Sequence, residues 1–567
     1  MAVMVTRADA VRIVDDWLRI AFPEAARANS WQLARSGLSP AFTGWRLRLR
    51  EDVSLLVAVD PLFPYTKPIA AFFGPGAPKD GPHVEDGGRL CLVTSETTTD
   101  SLDPTGVVSH FITQASNLLE ALGRGELRED YVVDFEAYWS RGSTTTRSVQ
   151  ILLDIAPPTR SLFLGIYGSQ RIVSDDEERL RRWIQHRVGE DYKGDFERSL
   201  FLWMERLPEP SAYPRSCSDL RTLFEETGQT STFDEAQPFN GSGGVVVLGG
   251  PSSPGRTAGG AIILSSGPGR RENKGFRPGK TPAAMLPFKL KFDRASVRRV
   301  DAATSRIPLP QLIDADTIHV AIIGCGSLGA GVARLLAQQG IKRFSLFDPD
   351  TLGWENIGRH ELGARHVGAN KANTLKAKLL ADLPDIVDIF SYGTDWRYAI
   401  ANDRSIFDGV SLIVNATGDW GGSAALSDLQ ADRALEIPVI YTWLERSAIA
   451  AHVVALQGSQ VCLRKGFDNT GKPLTAAASW WSEDKDPRCG GSASPYGAID
   501  LAAGQSLVAR AALDIASGRA VAPVWRIWVG LSSDLEQAGG FWSAAFKSVV
   551  GDPAEGGKMM AAQWPTE

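Results

Sequence analysis

The stretch from Ile322 to Lys371 constrains this chain more than any other. It reads IIGCGSLGAGVARLLAQQGIKRFSLFDPDTLGWENIGRHELGARHVGANK. An apolar strand runs into Gly324, Gly326 and Gly329, spaced G-x-G-x-x-G, and then into a helix. The first glycine permits a tight turn, the second lets a phosphate approach the backbone, and the third lets helix and strand pack closely. Leu328, Val332, Leu335 and Leu336 recur at helical spacing, and Gly340 ends the helix. The free N–H groups at the helix start favour phosphate. Asp348 closes the following strand, where a carboxylate usually meets ribose hydroxyls. The repeating strand–helix pattern that continues from here predicts a parallel α/β sheet.

Taken alone, the glycine loop says only that a nucleotide binds, and hydride transfer is the default chemistry. The residues beyond it change that reading. Asn356 and Arg359 follow closely, and Lys371 opens the next helix. Two cations and an amide over a phosphate site are surplus for hydride transfer. They suit phosphoryl or adenylyl transfer, where triphosphate charge must be neutralised.

The set D-P-D-x-L-x-x-x-N-x-x-R, followed by a lysine at the next helix start, resembles the adenylation domain of E1 ubiquitin-activating enzymes and their bacterial relatives in thiamin and molybdopterin synthesis. The resemblance covers roughly residues 301 to 520. It implies that Gly324, Gly326 and Gly329 cradle ATP and that Asp348 holds its ribose. Asn356, Arg359 and Lys371 would contact the phosphates, with Asp350 near them. Such domains carry a magnesium-binding aspartate after the fourth strand. Here the segment reads Ala416-Thr417-Gly418-Asp419, which makes Asp419 the candidate for Mg2+, displaced by one position from the family's motif. His360 stands where the family usually has glutamine. The implied reaction is adenylation of a protein's C-terminal carboxylate with loss of pyrophosphate.

Many E1 enzymes then pass the acyl group to a cysteine. Cys489, in KDPRCGGSASPYG, is the candidate, and Lys485 and Arg488 beside it would lower its pKa from about 8.5. Cys325, inside the glycine loop, reads as a small packing residue.

A second thiol lies far upstream. An amphipathic helix opens the chain in RADAVRIVDDWLRIAF, and its acids argue against a signal peptide. GWRLRLRED, VSLLVAVDP and PIAAFFG read as an antiparallel meander. A proline- and glycine-rich stretch follows, GPGAPKDGPHVEDGGRLCLV, then a helix through VVSHFITQASNLLEALGRG. Pro82, Gly88, Leu90 and Cys91 keep the spacing of the active-site region in E2 conjugating enzymes, which this domain resembles across residues 1 to 145. His83 takes the place of that family's asparagine, as a hydrogen-bond donor to an oxyanion or as a base.

An E2-like α+β head, a linker and a Rossmann-like E1 tail together resemble the E1–E2 fusion of bacterial type II CBASS antiphage systems. The division expected is 1–145 for the E2-like domain, 146–300 for a connecting domain and 301–567 for the adenylation domain. The resemblance implies ATP and Mg2+ as cofactors. It implies as partners the C-terminus of a cyclic-oligonucleotide synthase (CD-NTase) or a ubiquitin-like protein, and target lysines. A homodimer and a cytoplasmic location are also expected. The relay would be adenylate, thioester on Cys489, thioester on Cys91, then amide. Within the middle region RSLFLGIYG reads as a strand and DDEERLRRWIQHR as a helix. GGVVVLGG and GGAIILSS read as short strands, and GPGRRENKGFRPGKTP as a flexible loop.

Composition sets the outer bounds. At 567 residues the chain needs two to four domains, and a net charge of −6 gives no footprint for nucleic acid or an anionic membrane. The five cysteines form no C-x-x-C pair, so a structural zinc site has little support. Three other readings remain open on sequence: a sulfur-carrier adenylyltransferase, which leaves Cys91 without a task; a non-catalytic scaffold; and a nicotinamide dehydrogenase.

Overall fold

Residues 6–39, 41–92, 100–141, 148–189, 192–236, 243–266, 290–300, 317–458, 462–481 and 496–565 are described by a computed structural model. The chain falls into two units. One comprises residues 1–147, 155–159 and 201–296, the other residues 148–154, 160–200 and 297–567.

In the first unit, helix α1 (Arg7–Ala21) starts where the Thr6 hydroxyl accepts the Asp9 N–H. It buries Ala10, Val14 and Leu18, one residue per turn on a single face. The expected meander is present as an antiparallel sheet of β1 (Ala26–Arg27), β2 (Thr43–Arg48), β3 (Ser54–Val59) and β4 (Ile69–Phe73), in that order. Helix α2 (Pro104–Arg124) presents Val108, Ile112, Ala115 and Leu119 to a core shared with α1 and with Leu55 and Val57 of β3. Val108, Ile112 and Leu119 each contribute about 1.5–3 kcal/mol on burial. The left-handed Gly125 ends α2, as the sequence leads one to expect.

The segment after α2 breaks into two short helices, α3 (Asp130–Val133) and α4 (Phe135–Ser140). Trp139 of α4 is fully buried and donates its indole N–H to the carbonyls of Ala261 at 3.3 Å and Ala295 at 3.0 Å. Those carbonyls belong to a ladder in which Gly243–Ser253 and Arg256–Ser266 form a hairpin and Leu290–Arg299 pairs with its second arm. Here the sequence reading falls short: both hairpin strands have 11 residues. The ladder continues through glycines and serines because backbone hydrogen bonds do not require apolar side chains.

In the second unit, Gln170–Ser174 pairs parallel with Ser148–Ile151 and antiparallel with Arg160–Tyr167. The expected charged helix, Glu177–Val188, buries Leu180, Trp183 and Ile184. Region 146–300 therefore holds more strand than its sequence suggests. The segment expected as a flexible loop lies outside the described residues.

The rest of this unit is an eight-stranded sheet. Its strands are β5 (His319–Ile323), β6 (Arg343–Phe347), β7 (Asp388–Tyr392), β8 (Leu412–Asn415), β9 (Val439–Leu444), β10 (Ala450–Leu456), β11 (Val524–Leu531) and β12 (Gly556–Ala562). They stand in the order β7-β6-β5-β8-β9-β10-β11-β12. The first five are mutually parallel and the last three antiparallel. Strand β9 still pairs parallel with β8, and β10 folds straight back on it. Helices α5 (Ser327–Gln339), α6 (Lys371–Asp382), α7 (Trp420–Ala431) and α8 (Ala498–Ala516) accompany the sheet. The strand order reverses between β5 and β8, the place where an open α/β sheet opens a ligand crevice.

Candidate functional site

The glycine loop lies at that reversal. Gly324 adopts φ +89°, and a Cβ there would stand 2.9 Å from the backbone of Ala416 and Thr417. A Cβ on Gly329 would come within 1.9 Å of the Gly324 carbonyl. Gly326 caps α5 with open space beside it and no side-chain hydrogen bond at the cap. The loop thus presents the first turn of α5 to an anion.

Asp348 braces this loop. One carboxylate oxygen accepts the Cys325 N–H at 2.7 Å and the other the Asp350 N–H at 2.8 Å. Burial pushes its pKa up, against the pull of those N–H groups and of Lys371. Lys371, the first residue of α6, is buried and reaches Asp350 Oδ2 at 3.1 Å. Asn370 caps α6, and its amide donates to the carbonyls of Asp348 at 2.9 Å and Asp350 at 3.2 Å. Direct bonds thus join Asp348, Asp350 and Lys371 to one another and, through Cys325, to the loop of Gly324 and Gly326.

Asn356 accepts the Gly353 N–H at 3.0 Å, and its carbonyl accepts the Arg359 N–H. The Arg359 guanidinium lies over the Tyr496 ring, 4.6 Å from its centre. The Tyr496 hydroxyl is 2.7 Å from Ser327 Oγ, and Gln505 donates to the Ser327 carbonyl. Arg359 is thereby tied to the start of α5. Sequence reasoning missed Asn370, Tyr496 and Ser327. An asparagine immediately before a helix is a readable cap signal, whereas Tyr496 lies 169 residues from Ser327 and gives none.

His360 proves to be a second brace. Its Nδ1 accepts the Leu362 N–H at 3.0 Å, so Nε2 carries the proton and donates to the Cys325 carbonyl at 2.8 Å. Burial lowers its pKa. Cys325 itself is wholly buried, and burial pushes its thiol well above the ordinary range, as suits a packing residue.

Asp419 is the N-cap of α7. Its two oxygens accept the N–H groups of Gly421 and Gly422, and Arg397 approaches to 3.4 Å. A carboxylate so engaged is a poor fit for a divalent cation. No cluster of three or more His, Cys, Asp and Glu side chains suited to a metal occurs among the described residues.

In the first unit Cys91 is an exposed free thiol. Its N–H donates to the His83 carbonyl at 2.9 Å, one pair beyond the bridge between Val84 and Leu90. His83 adopts φ +60° and places Nε2 3.0 Å from Asp130 Oδ2. A cavity of about 370 Å³ opens nearby, lined by Asp80, Gly81, Pro82, Leu119, Leu122 and Tyr131. Cys489, with Lys485 and Arg488, lies outside the described residues. No helix among the described residues is long and apolar enough to cross a membrane.

Residues 301–493 match the ThiF family, and residues 35–147 match prokaryotic E2 family B. The ATP-dependent ubiquitin transferase-like protein Cap2 of Pseudomonas aeruginosa is 23% identical over 369 residues, 61% of this chain and 63% of that protein. Its namesake in Enterobacter hormaechei is 34% identical over 128 residues, 22% of this chain and 21% of that one. The matched stretches thus span less than two thirds of these curated relatives. A solved structure of E. coli MccB with ATP matches over 38% of this chain and 63% of that one, at 16% identity and a TM-score of 0.30. One polypeptide thus carries a segment that matches prokaryotic E2 family B ahead of a segment that matches the ThiF family.

Proposed function

We propose that this chain is an ATP-dependent protein-conjugating enzyme of the E1–E2 type. It adenylates the C-terminal carboxylate of a partner protein, carries the acyl group on Cys489 and then Cys91, and transfers it to target lysines. The observation that carries the reading is the coexistence, in one chain, of a glycine loop flanked by Asp348, Asp350, Arg359 and Lys371 with an exposed Cys91 in an E2-type turn. A sulfur-carrier adenylyltransferase needs only the first of these.

In this reading the start of α5 receives the phosphates, Asp348 meets the ribose, and Lys371 and Arg359 neutralise the triphosphate. Asn356 would reach the phosphates by giving up its bond to Gly353. Magnesium accompanies ATP as its counter-ion, and no step is routed through Asp419. The functional division remains 1–145, 146–300 and 301–567. A cyclic-oligonucleotide synthase (CD-NTase) is the acyl donor that the resemblance to type II CBASS fusions implies, with a ubiquitin-like protein as the other candidate. A cytoplasmic homodimer completes the proposal.

Four measurements test it. ATP–pyrophosphate exchange should require a partner with a free C-terminus. A thiol-sensitive adduct should form on Cys489 and move to Cys91, and mass spectrometry of cells expressing the neighbouring genes should identify the donor. Normal amide formation by a Cys91→Ala variant would refute the E2 half of the reading.

A further inference from the structure

We propose that Asp130 is a positioning residue for acyl transfer from Cys91, acting by fixing the tautomer and orientation of His83. The inference rests on the reading of Cys91 as a thioester carrier and adds a residue to that site.

Three bonds converge on His83. Its N–H donates to the Tyr138 hydroxyl at 2.8 Å, its carbonyl accepts the Cys91 N–H at 2.9 Å, and its Nε2 meets Asp130 Oδ2 at 3.0 Å. The two backbone bonds already hold the turn, together with the Glu85 N–H donated to the Arg89 carbonyl. The ring bond is not needed for that. The left-handed backbone of His83 suits glycine and costs a residue with a side chain about 1 kcal/mol or more. An imidazole kept at such a position, opposite an exposed thiol and bonded to a carboxylate from α3, has the arrangement of a base with its orienter. Val84, the next residue, faces the core, whereas His83 and Cys91 are open to solvent.

With Nε2–H donated to Asp130, Nδ1 is the unprotonated nitrogen. In the transfer, Nδ1 takes a proton from the target lysine's ammonium, and the neutral amine so formed makes a C–N bond to the thioester carbonyl carbon. The C–S bond breaks, its electron pair leaves on Cys91 Sγ, and the second proton lost from nitrogen goes to that thiolate, while Nδ1 gives up its own to water. A lysine, with an ordinary pKa of about 10.4, needs proton removal. Hydroxylamine is already unprotonated at neutral pH and does not.

The test uses the full chain carrying Cys489→Ala. Cys91 is charged from a glycine-terminated peptide supplied as its mercaptoethanesulfonate thioester, and discharge is followed by intact mass. Asp130→Asn should slow discharge to free lysine by about 10²-fold, the scale of general-base assistance, and leave discharge to hydroxylamine within about twofold. Asp130→Glu should restore most of the lysine rate. His83→Ala should match Asp130→Asn, and the double variant should be no slower, since the two act as a unit. Equal slowing with both nucleophiles, or an unchanged lysine rate, overturns the role of Asp130 alone. A wild-type Cys91 that loads no acyl group overturns the thioester reading itself, and this inference with it.

Discussion

Replacing His360 with alanine tests whether the glycine loop depends on a side chain that its motif does not contain. The imidazole joins two buried backbone groups, the Leu362 N–H at 3.0 Å and the Cys325 carbonyl at 2.8 Å. Both residues are fully buried, and the ring that covers them is half-buried. Removing it loses two hydrogen bonds worth about 1 kcal/mol each and strands a donor and an acceptor at about 1–3 kcal/mol apiece, with overlap between the two costs. A net loss of about 2–4 kcal/mol follows. For a unit of this size the lower slope applies, about 2 °C per kcal/mol, so the melting midpoint of the second unit should fall by about 4–8 °C. The KM for ATP in pyrophosphate exchange should rise with it. Glutamine, which has one donor and one acceptor, should recover part of both.

The pH dependence supplies the sharper check. Burial lowers the His360 pKa below its ordinary 6.5, so folding favours the neutral ring. A depressed folded-state pKa means that the contribution is complete above the unfolded value and is lost as pH falls through the folded one. Protonated Nδ1 would face the Leu362 N–H with no lone pair to offer. The gap in melting midpoint between wild type and His360→Gln should therefore be constant above 6.5 and close at lower pH. A His360→Ala variant with wild-type melting and KM, or a gap that persists undiminished into acid, refutes the brace.

Three further outcomes follow from particular contacts. Lys371→Met removes a charge-assisted bond worth about 1.5–3 kcal/mol, and should raise the KM for ATP about 10- to 100-fold while melting changes little, because Asp350 is left in solvent. Asp419→Asn should retain pyrophosphate exchange and melting, since asparagine caps a helix as well as aspartate does; a large loss of exchange that added Mn2+ relieves would instead return Asp419 to a metal role. Gly260→Ala would put a Cβ 2.5 Å from the Trp139 ring, so the first unit should lose about 1–3 kcal/mol in denaturant melts, with nucleotide exchange intact.

The parts of this chain that could be read from sequence are those whose physics is local. Gly324, Gly326 and Gly329 are dictated by backbone approach within one turn, and the amphipathic stripes of α1 and α2 by burial within one helix. What escaped reading depends on partners distant in sequence. Trp139 finds its acceptors 122 and 156 residues away, and nothing in the DFEAYWS segment signals that. The long hairpin was shortened because its glycines and serines imitate loop composition. Asp419 was assigned by motif position, but the bonds it makes are those of an ordinary helix cap. His83 was identified as a substituted family position, yet its relation to Asp130, 47 residues on, is visible only in the fold.

The two sites are built on opposite principles. Around the nucleotide loop the anchors are buried or half-buried side chains bonded to backbone: Asp348 to two N–H groups, Asn370 to two carbonyls, His360 to one of each. Such a loop is preorganised, and ATP need not order it. The lysine beside it is held more lightly. Lys371 is buried, but its partner Asp350 is 68% exposed, and exposed carboxylates bind cations by about 1 kcal/mol. A triphosphate can therefore take Lys371 without breaking a strong bond, and the site's rigidity resides in the loop that is not exchanged. The Cys91 turn reverses this. Its thiol is open, its backbone is held by main-chain hydrogen bonds and by the Tyr138 hydroxyl, and the pair His83 with Asp130 comes in addition to those bonds. Substitutions in the first site should thus register as folding and affinity together, and substitutions in the second as rate alone.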